Sequence, residues 1–108
     1  MADNVDLPSE VASKQAELSH ICKRFHVSRL ELFGSGVTGH FDPKTSDLDF
    51  LVEFQNMDPV AYAEAYFGLL DALEALYGRS VDVVVRTAIT NPYFRRKVEG
   101  EKALLYAA

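Results

Sequence analysis

Two aspartates flank one leucine in Ser46-Asp47-Leu48-Asp49-Phe50-Leu51-Val52, and a third, Asp82, sits in Ser80-Val81-Asp82-Val83-Val84-Val85. A strand puts alternate side chains on one face at a rise of ~3.3 Å per residue, so Asp47 and Asp49 point the same way roughly 7 Å apart. That separation can bracket two cations about 4 Å apart. If the strand carrying Asp82 lies alongside, all three carboxylates converge. Within ~7 Å they repel by about 2 kcal/mol per pair at an effective dielectric of 20, a cost met mainly where divalent cations neutralise it. Magnesium is the expected ion. Upstream, Gly34 closes the run Leu30-Glu31-Leu32-Phe33 and lets the backbone turn tightly. Ser35 then begins a segment whose N–H groups and hydroxyl can hold phosphate oxygens. Phosphate and metal would meet at one edge of a sheet, which is the setting for metal-assisted phosphoryl transfer.

Each piece alone has an ordinary explanation. Gly-Ser makes turns, Asp-x-Asp caps or solvates strand starts, and a single Asp marks an exposed strand end. Together they carry more weight, because an apolar sheet has little reason to place carboxylates at matching strand starts beside a glycine turn.

The elements that must position these residues follow from periodicity. Pro8-Ser9-Glu10 opens a helix expected to run to about Phe25, with Val11, Leu18, Ile21, Cys22 and Phe25 on its inner stripe. Arg29 to Phe33 and Asp47 to Phe54 read as strands, the second with Leu48, Phe50, Val52 and Phe54 opposite Asp47, Asp49 and Glu53. Asp58-Pro59 starts a helix that Gly78 ends. Its main stripe is Ala63, Tyr66, Phe67, Leu70, Leu73 and Tyr77, and Tyr62, Leu69 and Leu76 widen the apolar arc enough to suggest a partner or a homodimer contact. Ser80 to Val85 is a third strand, and Asn91-Pro92 starts a last helix that stops near Gly100. The expected order is α-β-β-α-β-α, with room for a helical turn after Gly34. The fold class is α/β (α+β), a small mixed sheet with helices packed on one face and the site open on the other.

Size and charge bound the function. A chain of 108 residues, 48% hydrophobic, is expected to form one domain over residues 1–108. A net charge of -5 disfavours direct nucleic-acid binding. Cys22 is the single cysteine, which excludes an internal disulfide and fits a reduced compartment. With an acidic start and no apolar run near ~20 residues, the expectation is a cytoplasmic protein that does not enter a membrane. His20, His26 and His40 lack the mutual spacing of a zinc site.

Leu32-Phe33-Gly34-Ser35, then Asp47-Leu48-Asp49-Phe50-Leu51-Val52, then Val81-Asp82-Val83-Val84 resembles the minimal nucleotidyltransferases of the DNA polymerase β-like superfamily. The tail from Asn91 to Gly100 and on through Leu104-Leu105-Tyr106 is similar to that family's closing segment. The resemblance implies that Gly34 and Ser35 bind a nucleoside triphosphate and that Asp47 and Asp49 hold two magnesium ions. It implies that Asp82 completes the metal site or takes the proton of the attacking hydroxyl. It further implies transfer of AMP from ATP to a hydroxyl of a protein partner, with a small helical HEPN-domain toxin as the kind of partner and this chain as its antitoxin. The alternative is a fold-only binding module of weak or no activity that acts by complex formation.

Where many family members carry arginines just after the Gly-Ser, this chain has Gly36 and Thr38, leaving Lys44, Arg95, Arg96 or Lys97 to supply phosphate-neutralising charge. The same departure makes Gly34-Ser35-Gly36-Val37-Thr38-Gly39 satisfy the Gly-x-Gly-x-x-Gly dinucleotide fingerprint, with Glu53 roughly twenty residues on. That second reading is disfavoured because Pro43 and a turn-rich run leave little room for a crossover helix before Asp47.

Overall fold

The computed structural model describes residues 8–34, 47–100 and 102–108. The predicted positions Ser35, Gly36, Thr38, His40 and Lys44, and the turn expected after Gly34, lie outside the described residues. Within them the order is α1 (Ser9–Ala12), α2 (Gln15–Arg24), β1 (Val27–Phe33), β2 (Leu48–Phe54), α3 (Pro59–Tyr77), β3 (Val81–Val85), a 3-10 turn (Arg86–Ala88), α4 (Pro92–Gly100) and β4 (Lys102–Ala107).

The four strands form one sheet in the order β3-β2-β1-β4. β1 runs antiparallel to both β2 and β4, while β2 and β3 are parallel. This settles the two glycine-turn readings: a dinucleotide unit needs a parallel crossover after the first strand, and here the chain returns antiparallel. β4 is the element the sequence reading lacked. Its Lys102-Ala103-Leu104-Leu105-Tyr106-Ala107 alternates weakly, and it gains its place from pairing with β1.

Helix boundaries follow local chemistry. Asp58 caps α3 by accepting a hydrogen bond from the Ala61 N–H at 2.8 Å, Pro59 fills the first turn, and Gly78 closes the helix in the left-handed region at φ 65°. Asn91 does the same for α4, its Oδ1 accepting from the N–H groups of Tyr93 and Phe94. The predicted first helix is broken at Ser13-Lys14 into α1 and α2. Lys14 Nζ instead reaches the Leu76 carbonyl at 2.7 Å, tying this break to the end of α3.

One sheet face carries the main core. Leu30, Leu32, Leu48, Phe50, Val52, Val81 and Val83 pack there against Val11, Leu18 and Cys22 below and Leu69, Leu73 and Tyr77 of α3. Gly68 allows that approach, since a Cβ there would lie 2.3 Å from the Phe25 ring. The predicted outer arc of α3 is rearranged accordingly. Leu69 is fully buried, Leu76 packs on the core, and Tyr62 lies edge-on to Phe54 with centroids 5.1 Å apart. Phe67, expected inside, is 60% exposed. Among the described residues no helix is long and apolar enough to cross a membrane.

The other face bears Glu31, Phe33, Asp49, Leu51, Glu53, Asp82 and Val84, by strand alternation. It is only partly covered: Ile89 and Val98 close over Phe33, Leu51 and Val84 as a second, smaller core. α4 thereby lies across the face that carries the acidic residues, and the described residues leave a cavity beside Asp49 and Asp82.

Candidate active site

The sheet register assembles the site. Phe33 faces Asp49 across β1 and β2, and Asp49 faces Asp82 across β2 and β3. The three side chains therefore form one row across the sheet. Phe33 ends β1 and Gly34 follows at φ +73°, where a Cβ would lie 2.6 Å from Asp49 Oδ2. Glycine is required there twice over, for the left-handed backbone and for the space taken by the carboxylate.

Asp49 and Asp82 stand side by side in register, close enough for the Asp82 carboxyl to disfavour charge on Asp49. Burial, the neighbouring Asp82 carboxyl and the charge of Asp47 push the Asp49 pKa up to about 6. Asp47, exposed just before β2, is close enough to act on Asp49 by charge. Of the sequence-predicted carboxylates, the structure thus brings two into contact and leaves the third at the rim. Among the described residues no group of three or more His, Cys, Asp or Glu is set to hold a metal ion. The chemistry of the pair nevertheless suits one: two oxygen donors that repel each other at neutral pH match a hard divalent cation, whose remaining positions water or phosphate oxygens can fill.

Two cavities open from this row. One of about 440 Å³ is lined by Phe33, Asp49, Tyr66, Leu70, Val81, Asp82, Val83, Val84 and Phe94. The other, about 160 Å³, is lined by Phe33, Gly34, Asp49, Phe94, Lys97 and Val98. Asp49, Phe33 and Phe94 are common walls. Phe94 stands edge-on to Phe33 with centroids 6.2 Å apart and remains 40% exposed. Tyr66 braces the far wall, its hydroxyl donating to the Val83 carbonyl at 3.0 Å on the sheet's edge strand. Phe94 has no role assigned from sequence; its signal is Phe94-x-x-Lys97-Val98, where an i, i+3, i+4 spacing puts three side chains along one side of α4, all lining the smaller cavity.

Further along the same face, Glu31 is buried and surrounded by cations. Its carboxylate takes Lys102 Nζ at 2.6 Å, Arg86 Nη2 at 2.5 Å and Arg29 Nη2 at 3.3 Å. Arg86 also pairs with Glu53 at 2.6 Å and with Glu99 at the end of α4. Burial would raise the Glu31 pKa, but the hydrogen bonds from Lys102, Arg86 and Arg29 outweigh it and hold it below the usual carboxylate range. This network fastens α4 and the turn before it to the sheet. Arg95 is likewise committed, its guanidinium donating to the Ile89 carbonyl.

The sequence model of the nucleotidyltransferase domain matches residues 16–105, a stretch that contains every strand of the sheet but the last two residues of β4. The chain belongs to the nucleotidyltransferase domain family. A candidate protein adenylyltransferase of Methanocaldococcus jannaschii is 33% identical over 76 residues, covering 70% of this chain and 74% of the relative. The structure of a candidate minimal nucleotidyltransferase superposes with a TM-score of 0.71 at 28% identity, covering 94% of this chain and 98% of that one. A Shewanella oneidensis complex of a tri-AMPylated HEPN toxin with its MNT antitoxin shares the fold, with a TM-score of 0.60 at 18% identity over 91% of this chain and 73% of that one. The nucleotidyltransferase is an enzyme by family, and its mixed four-stranded sheet is the family's fold.

Proposed function

We propose that this nucleotidyltransferase moves AMP from ATP to a hydroxyl of a protein partner, using Asp47, Asp49 and Asp82 as its acidic centre and Gly34 and Ser35 as its phosphate turn. The observation that carries the reading is the register: Asp49 lies directly opposite Asp82 on parallel neighbouring strands, beside a glycine turn that no larger residue could make. Two magnesium ions would be held by Asp47, Asp49 and Asp82, and once bound they supply charge neutralisation at the α-phosphate and the departing pyrophosphate. The chain's own groups do the rest. Gly34 brings backbone close to the phosphates, and the apolar walls around Phe33 and Phe94 shield the reacting centre from water. Asp82, on the edge strand, accepts the proton of the attacking hydroxyl. The hydroxyl oxygen bonds to the α-phosphorus as the α-β bridging bond breaks, releasing pyrophosphate.

The protein acceptor is supported by the relative from Methanocaldococcus jannaschii, a candidate protein adenylyltransferase. The HEPN-toxin partner is supported by the shared fold of the Shewanella oneidensis antitoxin. Of the predicted Tyr62, Leu69 and Leu76 arc, Leu69 is buried and the other two are half-buried, so the surface assigned to such a partner centres on Val60 and Phe67, the large apolar residues that α3 leaves exposed.

Calorimetric titration with ATP, with and without magnesium, tests the reading against the Asp47→Asn/Asp49→Asn double variant. Magnesium-dependent binding that disappears in the variant is the expected result. Absence of binding in the unaltered protein would favour the complex-forming module without chemistry. A mass gain of one AMP on a co-purified helical partner tests the acceptor.

A further inference from the structure

The proposed site is rich in carboxylates, and a triphosphate adds several more negative charges. Divalent cations offset part of that, but a polyphosphate tail also calls for a fixed protein cation. Most basic side chains around the site's face are already taken. Arg29, Arg86 and Lys102 converge on Glu31, and Arg86 and Lys102 also reach Glu99. Arg95 is hydrogen-bonded to the Ile89 carbonyl.

Lys97 is different. It lines the smaller chamber together with Gly34 and Asp49, and it is the only cation lining either site cavity among the described residues. It makes no ion pair with any described residue, so its charge is uncommitted within that set. Its placement is fixed by its neighbours on α4. Val98 is buried in the small core, Phe94 one turn earlier walls the chamber, and Glu99 is held by Arg86. The helix is therefore anchored at both ends of the stretch that presents Lys97. Geometry and charge point to the same use.

Building on the proposed nucleotide site, we propose that Lys97 is its phosphate-binding cation and that the chamber between Gly34 and Lys97 receives the polyphosphate tail of the nucleotide. Gly34 and Lys97 line the same chamber, so backbone and a fixed positive charge are both available to the phosphates. Asp49, shared with the larger cavity, marks the boundary where the α-phosphate meets the acidic centre. α4 thus supplies the positive charge for this site.

Binding measurements with magnesium and three probes, ATP, AMP and inorganic tripolyphosphate, on the unaltered protein and on Lys97→Ala and Lys97→Arg, test the assignment. Lys97 is exposed, so neither substitution disturbs the core. The expected result is a loss of roughly tenfold or more for ATP and tripolyphosphate in Lys97→Ala, a smaller loss for AMP, and recovery of most of it in Lys97→Arg. Equal losses for all three probes would mark a merely structural lysine and overturn the assignment. So would ATP binding that is unchanged in Lys97→Ala yet abolished by Asp49→Asn, a result that leaves the active site standing. If the unaltered protein binds none of the probes, the nucleotide site and the role of Lys97 fall together.

Discussion

Two carboxylates on the same sheet face, Glu31 and Asp49, have opposite surroundings. Glu31 is only 1% exposed, yet three cations reach it and its pKa falls. Asp49 is less buried, but its nearest charged partners are Asp82 and Asp47, and its pKa rises. They are two residues apart by register, since Glu31 pairs with Leu51 and Phe33 pairs with Asp49. The lesson is that burial does not tell a structural carboxylate from a chemical one; the sign of its neighbours does. Glu31 is satisfied by three cations of the protein, whereas among the described residues no cation pairs with Asp49.

The comparison can be broken most forcefully at Asp49. On the proposed function, Asp49→Asn is expected to reduce nucleotidyl transfer by roughly a thousandfold while the fold is kept, because it removes a charge assigned to holding metal and phosphate. Near-normal turnover in a labelled-ATP assay would show that the repelling pair is not the reactive centre. Glu31→Ala is expected to act on stability instead. It strands Arg29, Arg86 and Lys102 around an empty position, with an expected loss of about 3 kcal/mol in urea unfolding. A loss well under 1 kcal/mol would mean that the cations find solvent or Glu53 and Glu99 sufficient.

Gly34→Ala joins the two effects. Its backbone sits at φ +73° and the new methyl would collide with Asp49 Oδ2. A destabilisation of about 1 kcal/mol or more is expected, together with a weaker nucleotide site as Asp49 is pushed aside. Retained ATP affinity in a variant that folds would detach the turn from the chemistry.

Acid titration sharpens the contrast through its sign. The Asp49 pKa is raised from 3.8 to about 6 on folding. The folded state therefore holds more protons than the unfolded one between those values, and this group's contribution is present at low pH and lost as pH rises through that window. Glu31, with its pKa lowered, contributes above its unfolded pKa, and that contribution is lost as pH falls through its folded value. Thermal melts from pH 3 to 7 should thus diverge: Asp49→Asn removes a decline with rising pH, and Glu31→Gln removes a gain. Identical pH slopes in the two variants would refute the contrast. The smallest effect is expected at Cys22, buried beneath the sheet with its pKa pushed up to about 12 by burial. It should resist thiol reagents in the native state and react only on unfolding.

Much of this was legible in the chain. Asp58-Pro59 and Gly78 bound α3 as predicted because capping is local chemistry, read from side chains within a few residues. Asn91-Pro92 opened α4 for the same reason. β4 was not legible because Lys102-Ala103-Leu104-Leu105-Tyr106 has no clean alternation and becomes a strand only when β1 offers its free edge. Periodicity alone predicts one continuous first helix, and its break at Ser13-Lys14 comes with a tertiary hydrogen bond from Lys14 to the Leu76 carbonyl. Phe67 and Leu69 exchanged their expected roles because a helix rich in apolar residues all round leaves its rotation to packing.

The sequence by itself determined the types and spacing of the acidic residues, the glycine turn and the helix caps, since each rests on interactions within a short stretch of chain. Only the tertiary structure decided that Asp49 stands opposite Asp82, that Glu31 draws Arg29, Arg86 and Lys102 around it, and that α4 carries Phe94 and Lys97 to the cavities beside Asp49. Strand order and register are long-range choices, made by burial of both sheet faces at once, and no local pattern encodes them.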